Sequence, residues 1–106
     1  MPAEKGTPPG QIDAAIPVAN NESLSRFEAH VAGKIAFLEY RRTGREIIFT
    51  HAETPRDLEG RGIASRVTRA ALEFARAHGL TVVPLCPFVA WYIRQHGEFA
   101  DLVNGG

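Results

Sequence analysis

Cysteine is nearly absent from this chain, with one residue in 106, Cys86. No intrachain disulfide can form, and a CxxC zinc site is excluded. Net charge is absent too: 12 basic residues balance 12 acidic ones, and the pI is near 6.9. A nucleic-acid binder usually carries a basic stripe and a high pI, so no nucleic-acid partner is expected. No apolar run approaches the length needed to span a bilayer, so no membrane partner is expected either. The N-terminus has no basic region followed by a long apolar stretch and does not read as a secretory signal. The simplest location is cytoplasmic. His30, His78 and His96 are scattered, no His/Asp/Glu pair has ligand spacing, and no metal is expected.

What is present divides unevenly. Four of the seven prolines fall in MPAEKGTPPGQIDAAIPVANNE, where apolar periodicity is weak. Such a stretch buries too little surface to repay its ordering entropy, so residues 1–22 are expected to form a flexible tail. The remainder, 23–106, is one domain of marginal size, a monomer or a homodimer.

Three segments then alternate as strands. SRFEAHV puts Phe27, Ala29 and Val31 on one face, and KIAFLEY is apolar on both. REIIFTHAE puts Ile47, Phe49, His51 and Glu53 on one parity. The pairs Ala32-Gly33 and Thr43-Gly44 can make the turns of an antiparallel meander. Pro55 ends the third strand. From Gly62 the pattern is helical, with Ile63, Val67, Ala70, Ala71, Phe74 and Ala75 at spacings of three and four. Arg66, Arg69, Glu73 and Arg76 are expected to face away. Gly79 suits the left-handed position that closes a helix. TVVPLC reads as a strand, and PFVAWYIRQHG as a shorter helix that tolerates Pro87 in its first turn. The order β-β-β-α-β-α is that of an α/β domain with a mixed, mostly antiparallel sheet.

Between the third strand and the first helix lies LEGRGIAS, residues 58–65. Glycine allows positive φ and close approach of a ligand, and a helix N-terminus offers unpaired N–H groups with partial positive charge. Together they form an anion site, most often for phosphate, to which Arg61 and Arg66 can add charge. The other reading is a plain turn into a helix. A P-loop would need Lys followed by Ser or Thr, and neither is there. GRGIAS nearly spells a dinucleotide fingerprint, but Ser65 holds its last position and TVVPLC carries no acidic residue for a ribose.

The stretch HAETPRDLEGRGIASRVTRAALEFA, followed by VVPLCPFVAWYIRQHGEFADLV, resembles the small single-domain GNAT-like N-acetyltransferases of the acetyltransferase-CG type. The resemblance covers about residues 24 to 104 and implies a truncated GNAT fold that uses acetyl-CoA as acyl donor. It implies that the pyrophosphate rests on Glu59, Gly60, Arg61, Gly62, Ile63 and Ala64, and that the pantetheine arm runs along His51 to Thr54 like an added strand. Glu59 stands where the family commonly carries Arg or Gln, so backbone N–H groups would supply most of the binding. The N-terminal helices that shape the acceptor pocket in larger relatives are missing.

Acetyl transfer must deprotonate an amine, polarise a thioester carbonyl and protonate a leaving thiolate. In the resembling family the cysteine of the CPF segment, here Cys86, has been suggested as an acyl-accepting nucleophile. Its other reading is a small buried residue that at most lines the site. The family often places a thiolate-protonating tyrosine on the second helix, and Tyr92 is the candidate. The family's glycine follows four residues later, whereas here Gly97 lies five on. Tyr92 can equally be a packing residue beside Trp91. His51 and Glu53 can take the amine's proton, provided that the bulge common in this strand of the family does not alter their parity. Glu53 can instead pair with Arg56. Two functions follow. One is an acetyl-CoA-dependent N-acetyltransferase for a small amine, a protein lysine or an N-terminus. The other is a non-catalytic module that binds CoA or acyl-CoA as a sensor or adaptor.

Overall fold

A computed structural model of the chain describes residues 16–103. Strands β1 (Ala19–Asn21), β2 (Arg26–Val31), β3 (Lys34–Thr43) and β4 (Glu46–Glu53) form an antiparallel meander. A 3-10 turn (Arg56–Leu58) leads to helix α1 (Ile63–Ala77). Strand β5 (Thr81–Pro84) then pairs parallel to β4, and helix α2 (Pro87–Gln95), a second 3-10 turn (Gly97–Phe99) and the short α3 (Ala100–Val103) follow. The sheet order is β1-β2-β3-β4-β5, mixed and mostly antiparallel, as expected of the fold class.

The turns follow from backbone chemistry. Between β2 and β3, Ala32 (φ 53°) and Gly33 (φ 75°) are both left-handed, the primed geometry that matches strand twist. The second turn differs from expectation. Thr43 stays in β3, paired with Glu46, and the turn is Gly44-Arg45 with φ 54° at Gly44. Gly79 closes α1 as anticipated, at φ 68°, with the Leu80 N–H bonding the Ala75 carbonyl at 2.9 Å.

Part of the stretch read as a tail is structured. Residues 1–15 lie outside the described residues, but Ala19–Asn21 form β1 against β2. Side-chain hooks hold this segment. Tyr40 donates to Asn20 Oδ1 at 2.7 Å, Asn21 donates to Glu28 at 2.9 Å, and Arg66 donates to the Ile16 carbonyl at 2.9 Å. Ile16 and Val18 pack on the core. Three residues are too few to show a period, so the sequence pattern missed the strand.

One face of the sheet carries the core. Phe27, Ala29, Ala36, Leu38, Tyr40, Ile47, Phe49 and Val82 are buried there against α1. The helix buries Ile63, Val67, Thr68, Ala71, Leu72 and Ala75, a wider arc than expected, with Ala70 and Phe74 at its margin. It is wider because α1 packs against both the sheet and α2. For the same reason Arg66 and Arg69 do not face away from the fold but bond into it. The last turn is clamped by Phe99, whose ring lies 5.1 Å from the Arg69 guanidinium and 5.9 Å from that of Arg76.

The opposite sheet face has no helix on it among the described residues. It carries Glu28, only 6% exposed, bonded by Arg26 at 2.6 Å and Asn21 at 2.9 Å, with His30 at 3.0 Å. These bonds, that to His30 foremost and then that to Arg26, hold its carboxyl near pKa 2 instead of 4.5. A carboxylate whose folded pKa is lowered stabilises above its unfolded pKa and stops doing so as pH falls through the folded one. Between pH 4.5 and about 2 the native protein should therefore lose on the order of 3 kcal/mol through Glu28 alone. Urea denaturation across that window is expected to show a shallower loss for Glu28→Gln than for the native chain. Parallel curves would remove this role.

Candidate active site

The registers locate an irregularity in β4. Tyr40 pairs with Phe49 and Glu39 with His51, so Thr50 is an extra residue without a partner on β3. This bulge reverses the side-chain alternation. Ile47 and Phe49 face the core, yet beyond Thr50 it is Ala52 that packs inward. His51 and Glu53 share a side with each other, but not with Ile47 and Phe49 as strict alternation required. They point from the outer face, His51 Nε2 lying 3.0 Å from Glu53 Oε2.

At the same place β4 and β5 part. Their pairing stops at Phe49 and Pro84, and the Cys86 N–H to Phe49 carbonyl bond, 2.8 Å, is the last contact. Residues 51–53 keep β3 on one edge and have no strand on the other among the described residues.

A cleft of about 390 Å³ opens on the helix side of this edge. Ala52 and Thr54 form one wall, and the loop from Leu58 through Glu59 and Gly60 to Gly62 forms the second. Leu58 is buried and anchors the loop, and Asp57 ties it to Lys34 at 2.9 Å. Gly60 and Gly62 both have φ 79°, a conformation that glycine alone adopts without strain. The first turn of α1 (Ile63, Ala64, Ser65) closes the end, and Phe88 and Trp91 of α2 form the far wall, their rings 5.4 Å apart.

Electrostatically the cleft ends on the N-terminus of α1. Helix α1 has no side-chain capping bond and no acidic residue in its first turn, and its first internal bond runs from Arg66 N–H to the Gly62 carbonyl. The N–H groups of Ile63, Ala64 and Ser65 are thus left for an external acceptor, with the positive end of the helix dipole behind them.

Of the residues singled out from sequence, Thr54, Glu59, Gly60, Gly62, Ile63 and Ala64 meet in this cleft. The others lie elsewhere. Arg61 is exposed between the glycines, and Arg66 is turned to the Ile16 carbonyl. Cys86 is 3% exposed, at the N-cap of α2, and is not among the lining residues. Nor is Tyr92, 2% exposed, whose hydroxyl accepts from Arg69 Nε at 3.0 Å and whose ring stacks on His96 at 3.9 Å. Ala52, Leu58 and Ser65 fell within the segments read from sequence without being singled out, and Phe88 and Trp91 were missed. Phe88 and Trp91 were findable, since three-residue spacing puts them on one face of a helix. Among the described residues no group of three His, Cys, Asp or Glu could hold a metal ion, and no helix is long and apolar enough to cross a membrane.

An antiparallel meander, a strand that parts from its parallel neighbour, and a glycine-led helix between them define a small GNAT-like fold. A family model described as GCN5-related N-acetyl-transferase matches residues 26–102, and the chain belongs to that family. Among curated proteins it is similar to Protein NATD1 of Mus musculus, 28% identical over 95 residues that cover 85% of this chain and 86% of that protein.

The position of Tyr92 yields a stability prediction. Tyr92→Phe keeps the ring on His96 but removes the acceptor of Arg69, and should cost about 1 kcal/mol in urea denaturation. A cost near zero would mean that the Arg69 bond contributes nothing.

Proposed function

We propose that the protein transfers an acetyl group from acetyl-CoA to a primary amine. The observation that carries this reading is the cleft. It joins an uncapped, glycine-led helix start to an open strand edge, and those two features suit the two ends of one elongated donor. The pyrophosphate would be held by the N–H groups from Gly60 to Ala64, and the pantetheine amides would pair with the free edge of β4 around residues 50–54. Phe88 and Trp91 would cover the arm. A cleft of about 390 Å³ lies within the range of small-molecule sites, about 300–1,000 Å³. Glu59 lines the same cleft, so binding would rest on the backbone and not on a side-chain cation.

The chemistry would be direct transfer. His51, oriented by Glu53 at 3.0 Å, takes one proton from the ammonium of the acceptor. The freed nitrogen attacks the thioester carbonyl, a C–N bond forms and the C–S bond breaks. Water carries the second proton from the nitrogen to the departing thiolate, which leaves as CoA. Direct transfer is favoured over an acetyl-Cys86 intermediate because Cys86 is buried and does not line the cleft. The alternative is a CoA- or acyl-CoA-binding module without turnover. In its favour, both residues that the family resemblance offered for chemistry, Cys86 and Tyr92, lie outside the cleft wall.

Trp91 is the one tryptophan of the chain and lies in the cleft wall, 43% exposed, so its fluorescence reports occupancy. Acetyl-CoA should change that emission. Gly62→Asp, which puts a carboxylate where phosphate would rest, should weaken binding at least about tenfold while the circular dichroism stays native. No emission change at millimolar acetyl-CoA would end the donor-site reading. With an amine present, release of CoA thiol separates enzyme from binding module. His51→Gln should lower kcat by about a hundredfold or more without changing the KM for acetyl-CoA. An unchanged kcat would exclude His51 as the base.

A further inference from the structure

The sheet face opposite the helices, uncovered among the described residues, has a pattern that cofactor binding does not use. Two rows of residues cross β2, β3 and β4: Arg26, Glu39 and His51 in one, Glu28, Phe37 and Glu53 in the next. The outer columns are internally paired. Arg26 bonds Glu28 at 2.6 Å, and His51 meets Glu53 at 3.0 Å. Phe37 sits between them, with the Arg26 guanidinium 4.5 Å from its ring centre and the His51 ring at 6.3 Å. In the middle column the carboxylate of Glu39 has no side-chain partner among the described residues, and the Thr50 hydroxyl lies 3.4 Å from its backbone carbonyl. Arg26, its neighbour on β2, is already committed to Glu28 and Phe37.

A half-buried carboxylate with no side-chain partner among the described residues is a place for a cation. Directly cross-strand residues have Cβ atoms about 5 Å apart, so a cation held by Glu39 is within reach of His51. An aromatic ring two residues along the same strand gives an alkyl stem an apolar surface and adds cation–π attraction. All of this lies beside the free edge of β4, on the side away from the cleft.

We propose that Glu39 determines acceptor specificity. It would receive a protonated alkyl primary amine on the outer face of the sheet, with Phe37 under its stem, and hand it to His51. The two substrates then approach the free edge of β4 from opposite faces, the acyl donor from the helix side and the ammonium from the outer side. This inference rests on the acetyltransferase reading for its reaction, though not for its binding site.

The test uses the full chain and two acceptors, butylamine, which is cationic at neutral pH, and aniline, which is not. With acetyl-CoA saturating, Glu39→Gln should raise the KM for butylamine about tenfold and leave its kcat within about twofold. The aniline parameters should be unchanged, and Glu39→Asp should recover part of the loss. An unchanged butylamine KM, or an equal loss with aniline, overturns the proposal. A second measurement does not depend on turnover. Titrating butylammonium into the labelled chain without acetyl-CoA should shift the amides of Phe37, Glu39 and His51, and the shifts should vanish in Glu39→Gln. Shifts there without any CoA release would support the cation site and sink the enzyme reading. No shifts at millimolar butylammonium would sink the cation site.

Discussion

The structure turns on one residue too many in β4. Thr50 has no partner on β3, and the strand absorbs it by reversing its alternation. Up to Phe49 the strand serves the core and pairs with β5. Beyond Thr50 it sends Ala52 inward and His51 and Glu53 outward, and its far edge is free. A regular strand would have pointed His51 and Glu53 into the helix layer, where burying two ionisable groups is costly. The bulge and the end of the β4–β5 pairing coincide, so titratable groups and unpaired backbone occur at the same place.

The helix start depends on a complementary economy. Most helices recruit Ser, Thr, Asp or Asn to cap their first N–H groups. Here Gly62 stands at the N-cap, left-handed, and offers no side chain. The helix forgoes that stabilisation and keeps three donors open toward the cleft. Compensation comes from elsewhere in the fold. Leu58 buries itself to anchor the loop, and the arginines of α1 hold distant segments: Arg66 the N-terminal strand region, Arg69 and Arg76 the C-terminal turn around Phe99. Such bonds tie both ends of a short chain to one helix, which matters where the core is small.

This division of labour explains which residues could be read early. The glycine stretch was legible because positive φ and an uncapped helix start are local properties, and five of the residues singled out in it, Glu59, Gly60, Gly62, Ile63 and Ala64, line the cleft. Gly79 and Pro87 were legible for the same reason. Arg66 and Tyr92 were not, since each has a partner far along the chain, Ile16 for the one and Arg69 for the other. Phe88 and Trp91 were visible as an amphipathic pair, but which neighbour they faced was not.

The amino-acid sequence determined the elements: three alternating strands with turns between them, a helix led and closed by glycine, a short apolar strand and a proline-started helix. Those depend on steric preferences and periodicities spanning a few residues. The tertiary structure alone decided that Thr50 goes unpaired on β3, that Ala19–Asn21 add a strand, and that Glu39 lies between Arg26 and His51. Each is a matter of register between strands. Register is set by how whole faces pack together, and a single strand's own residues do not encode it.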